Sequence, residues 1–71
     1  MSAEARFELK QSKHGDASYI VDTVEGLAYG FWGNFADNDA ALLAMANDTP
    51  ALFSAVFPNA RPLAEVEAEF V

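Results

Sequence analysis

Two apolar, β-prone runs separated by only two residues constrain this fold more than any other feature of the sequence. Ala17 to Val24 is rich in Tyr, Ile, Val and Thr, side chains that suit the pleated surface of a strand. Leu27 to Phe35 follows directly after Glu25-Gly26, a spacing that calls for a tight antiparallel hairpin. A third strand precedes them. Between Ala5 and Gln11, Phe7 and Leu9 fall on one side and Arg6, Glu8 and Lys10 on the other, the period of two of a half-buried strand. Lys13-His14-Gly15-Asp16 supplies the turn chemistry between strands one and two. The first half is therefore expected to be a three-stranded antiparallel meander, with Leu27, Tyr29, Phe31 and Phe35 sharing one face.

The second half changes period. Asp37-Asn38-Asp39 offers N-cap residues and first-turn carboxylates ahead of Ala40 to Ala46, whose Ala, Leu and Met residues are strong helix formers. Thr49-Pro50 starts a second, short helix with Leu52, Phe53, Val56 and Phe57 as its apolar stripe, and Pro58 stops it. From Ala64 to Phe70 apolar and acidic residues alternate strictly, which favours an edge strand, while Leu63, Val66 and Phe70 also satisfy helical spacing. The expected fold class is α+β: a small antiparallel sheet in the order β-β-β-α-α-β, with two short helices packed on one face. A chain of 71 residues has room for one core, so residues 1–71 are read as one domain.

Composition narrows the function classes. Hydrophobic residues make up 52% of the chain, too many for intrinsic disorder. A secreted domain of this size is usually stapled by disulfides, and cysteine is absent, so a reducing cytoplasm is expected. No run approaches the roughly 18 apolar residues that span a bilayer. The net charge is −7, and from Gly15 to Ala60 six acidic residues meet no Lys or Arg. Nucleic acids and anionic membranes are bound through cations, so neither is an expected partner. An acidic surface of this kind either suits a basic partner or simply maintains solubility.

The residues of chemistry are sparse. His14 is the single histidine, placed in an expected solvated turn without an orienting partner, so no general base is assigned. Asp37-Asn38-Asp39 resembles the opening of a calcium loop, but Ala41 and Leu42 stand where that loop needs an oxygen ligand and a glycine. Gly26, Gly30 and Gly33 match no phosphate-binding pattern. No catalytic residue, metal or cofactor is expected, and the chain is read as a non-enzyme.

Two surface features are expected instead. If Leu27, Tyr29, Phe31 and Phe35 face the helices, the pleat turns Trp32 to the other side, with Ile20, Asp22 and Val24 on the neighbouring strand sharing that outer face. There Trp32 is either an exposed aromatic anchor or a lid over the sheet edge or a glycine. On a strand, Glu65, Glu67 and Glu69 would project from one face about 6.7 Å apart, imitating the spaced charge of a nucleic-acid backbone or blunting an edge against aggregation. The candidate partner-binding residues are Asp22, Glu25, Trp32, Asp37, Asp39, Glu65, Glu67 and Glu69.

Length, absence of cysteine, acidity, the segment Ala28 to Phe35 and the carboxylates at 65–69 together resemble the small acidic anti-CRISPR proteins of phages, of the DNA-mimic type that inhibits type I effectors. The resemblance implies a stoichiometric inhibitor in the bacterial host cytoplasm. It would bind a Cascade-type surveillance complex and block target DNA, as a monomer or weak dimer without cofactor. The alternative is an antitoxin-like or regulatory interaction module that masks a basic or hydrophobic partner surface.

Overall fold

In a computed structural model of the chain, residues 6–70 are described, and for residues 34–36 the backbone alone. The elements are β1 (Phe7–Gln11), β2 (Ala17–Asp22), β3 (Leu27–Trp32), a 3-10 segment (Gly33–Asn38), α1 (Asp39–Asp48), α2 (Pro50–Val56), β4 (Arg61–Pro62), α3 (Leu63–Val66) and a 3-10 turn (Glu67–Glu69). The strands form one antiparallel sheet in the order β1-β2-β3-β4, so the fold is α+β as expected, with a third helix after the fourth strand that the expected order lacked. The expected start of β1 at Ala5 and the side chain of Phe35 lie outside the description.

Register explains why the first half folds as a meander. Phe7 pairs with Asp22, and Ile20 pairs with Tyr29. The β2–β3 connection runs over Thr23 to Gly26, longer than the expected two-residue turn. Gly26 takes φ +69°, a left-handed conformation that glycine adopts freely, and its N–H donates to the Asp22 carbonyl. The pairing of Ile20 with Tyr29 also corrects the expected outer face: Ile20 and Asp22 lie on the Tyr29 side and not with Trp32, and Val24 is beyond the strand end, in the turn.

The sheet is covered on both faces. On one, α1 and α2 lie over Phe7, Ile20, Tyr29 and Phe31, with Ala46 and Phe53 as their buried contributions. Phe53 is the hub: its ring packs edge-on against Tyr29 at 4.8 Å and against Phe7 at 5.6 Å between centroids, geometries that favour aromatic pairs. On the other face Ala17, Tyr19, Val21 and Ala28 are sealed by Val66, with Leu63 and Phe70 around it.

That second layer overturns the expected edge strand at 64–70. The segment is helical from Leu63 to Glu69, because the helical spacing of Leu63, Val66 and Phe70 places all three on an apolar sheet face that would otherwise be wet. The fourth strand is instead the two-residue Arg61–Pro62. One consequence is immediate: Glu65, Glu67 and Glu69 do not form a linear row of carboxylates.

The outer edge of β1 is tied to α1. The Asn47 carboxamide accepts a hydrogen bond from the Phe7 N–H at 2.9 Å and donates one to the Phe7 carbonyl at 3.3 Å, as a neighbouring strand would. Among the described residues no helix is long and apolar enough to cross a membrane.

Candidate functional site

The eight candidate residues divide between the two ends of the sheet. At the β2–β3 turn, Asp22 is buried and serves the fold. Its two oxygens accept hydrogen bonds from Arg6 Nε at 3.0 Å and Nη2 at 2.9 Å, and Oδ1 also accepts the N–H groups of Val24 and Glu25. Burial alone would raise the Asp22 carboxyl. The Arg6 guanidinium and the two turn N–H groups outweigh it and hold the pKa below the usual carboxylate range. The expected surface role of Asp22 is therefore corrected, since a fully bonded carboxylate with 3% of its side chain exposed has nothing to offer a partner. Glu25 is exposed in the same turn. Glu65 is exposed and pairs at 3.4 Å with Arg61, four residues earlier in β4.

Glu69 meets Tyr19, whose hydroxyl donates to its carboxylate at 3.0 Å, and the Glu69 carbonyl accepts the Lys13 N–H. Desolvation first, then the bond to Glu69, raises the Tyr19 pKa. Glu65 and Glu69 thus serve separate local partners, while Glu67 faces solvent.

At the opposite end the acidic residues converge. Asp16, Asp37 and Asp39 line one open groove of about 420 Å³ together with Gln11, Gly15, Ala17, Ser18 and Gly33. No Lys or Arg lines it; Lys13 lies in the adjoining loop. Asp39 is oriented by Gln11 Nε2 at 3.3 Å and by the Ser18 hydroxyl at 3.2 Å, and Asp16 accepts the Ser12 hydroxyl. Among the described residues no cluster of His, Cys, Asp and Glu has the arrangement of a metal site. Asp16 was not among the expected contacts. Its position in the β1–β2 turn, facing the start of α1 across the sheet end, is set by long-range pairing that the local sequence does not display.

Trp32 stands beside this groove, with Gly33 leading into it. The indole is 53% exposed, so it is both of the things expected of it: an aromatic presented to solvent and a cover for a glycine. A Cβ on Gly30 would sit 2.6 Å from the indole, and Tyr19 meets the ring edge-on at 6.0 Å. No protein-family model matches the chain, and no curated protein or solved structure is significantly similar to it.

Proposed function

We propose that the protein works by binding and without turnover, its acidic surface occupying a Lys- and Arg-lined nucleic-acid-binding surface on a partner protein. The specific reading is inhibition of a Cascade-type CRISPR–Cas surveillance complex, whose target DNA would be excluded from its channel. On this reading the protein acts in the cytoplasm of a bacterial host, as a monomer or weak dimer. The observation that carries it is the groove at the Trp32 end, where three carboxylates converge with no cation lining the groove. Concentrating like charge on one surface disfavours the compact state slightly and favours a partner of opposite potential. Glu25, in the turn at the opposite end of the sheet, and Glu67 are also exposed and add negative charge elsewhere on the surface.

The test is affinity for a purified surveillance complex at about 50 and about 200 mM salt, with and without competing target duplex. Binding should fall at least tenfold or so with salt, and duplex should compete. The triple variant Asp16→Asn, Asp37→Asn and Asp39→Asn should bind weakly at both. Salt-insensitive binding would instead support a regulatory interaction module that masks a hydrophobic partner surface, which the exposed Leu52 and Val56, one turn apart on α2, favour.

A further inference from the structure

The outer edge of β3 is open where the acidic groove begins. β4 pairs only with Leu27 and Ala28, so among the described residues no strand flanks β3 from Tyr29 to Trp32. The direction of the backbone groups follows from parity. The carbonyl of Gly26 accepts the Leu63 N–H, Ala28 pairs with Arg61, and the Gly30 carbonyl accepts Asn59 Nδ2 at 3.4 Å, so the even-numbered residues face the outer edge. The N–H groups of Gly30 and Trp32 therefore point outward, and no acceptor meets them among the described residues.

β4 starts only at Arg61, because the chain is still leaving α2 at Phe57 and Pro58 and reaches the sheet late. The divergence leaves a groove of about 380 Å³ between Gly30, Phe31 and Trp32 on one side and Phe57, Pro58 and Asn59 on the other. Open backbone donors beside an apolar groove are the elements of recognition by strand addition, in which main-chain bonds supply affinity and the groove takes alternate side chains. The other sheet edge differs: Asn47 occupies the backbone groups of Phe7, and Glu8 and Lys10 charge it.

We propose that β3 accepts an extended segment of a partner protein as an added antiparallel strand along Tyr29 to Trp32. The segment is apolar where it crosses the groove and carries Lys or Arg at its N-terminal end. That polarity follows from direction: a strand antiparallel to β3 begins at the Trp32 end, where Asp37 and Asp39 lie beyond Gly33. A second copy of this chain, with net charge −7, brings the wrong sign. Identity of the partner is not assumed, so the proposal stands or falls separately from surveillance-complex inhibition.

The experiment titrates the intact protein with acetyl-Lys-Lys-Val-Thr-Val-Thr-Val-amide, following backbone amides by NMR and hydrogen exchange. The Gly30 and Trp32 amides should shift and gain protection. N-methylation of the two Thr residues of the peptide should weaken binding at least tenfold or so, and replacing Lys-Lys by Glu-Glu several-fold. Shifts confined to β1 or to the acidic groove, indifference to N-methylation, or concentration-dependent protection of Gly30 and Trp32 in the free protein would each overturn it, the last by placing a second copy on the edge.

Discussion

At the β2–β3 turn the carboxylates of Asp22 and Glu65 each meet an arginine, whereas at the other end of the same sheet Asp16, Asp37 and Asp39 share a groove that no cation lines. The same residue type therefore does two kinds of work, decided by where the topology delivers the few cations. Arg6 stands just before β1 and Arg61 opens β4, so both arrive at the end where the β2–β3 hairpin turns. The far end, built from the cation-poor middle of the chain, the Lys13 loop and the Glu69–Phe70 segment that meets it, is left negative.

The comparison breaks first if Asp22 proves dispensable. Asp22→Ala strands the Arg6 guanidinium and two turn N–H groups and should lower unfolding free energy by about 3 kcal/mol in a denaturant titration, while Asp22→Asn, which still accepts the turn bonds, should lose about half of that. The pH dependence follows. Folding lowers the Asp22 pKa, so its contribution is present above the unfolded value of about 3.9 and is lost as pH falls through the lowered folded value. Denaturation profiles from pH 6 to pH 2 should show that acid loss in the parent and a flattened limb in Asp22→Ala.

Trp32→Ala should lower stability by only about 1 kcal/mol, the value of an edge-on contact with Tyr19, while weakening partner binding more than tenfold. A loss of about 3 to 5 kcal/mol would mean that the indole belongs to the core. The triple Asp→Asn variant of the acidic groove should change stability by less than about 1 kcal/mol, since a carboxamide in place of the Asp39 carboxylate retains an acceptor for Gln11 and Ser18 and like-charge repulsion is relieved. A loss as large as that of Asp22→Ala would erase the distinction between the two ends. The smallest effect belongs to Glu65→Gln, below about 0.5 kcal/mol in the same titration, because its pair with Arg61 is exposed.

Much of the fold was written in local pattern. Alternation in β1, the β-prone run of β2, the helix formers of α1 and the Thr49-Pro50 start of α2 each identified an element by its own period. The tail was not legible that way, since Leu63, Val66 and Phe70 fit a helix and the intervening glutamates fit a strand. What decides is the demand of another element. Tyr19, Ile20 and Val21 are all buried, a continuous apolar run that signals a strand covered on both faces and therefore requires a second layer. Of the site, Trp32 was visible as an exposed-face residue and Asp37 and Asp39 as carboxylates at a helix start, although no side chain caps α1 and Asp39 binds Gln11 and Ser18 instead. Asp16 and the true role of Asp22 were not, because both depend on partners at long range or across a turn.

The position of the indole gives the protein its own optical reporter. Trp32 is the single tryptophan, half in water, within 6.0 Å of Tyr19 and between the acidic groove and the open edge of β3. An occupant of either surface changes the polarity around this one fluorophore, so emission from the unlabelled chain reads out engagement directly. Excitation transfer from Tyr19, meanwhile, reports whether the ring has kept its seat over Gly30.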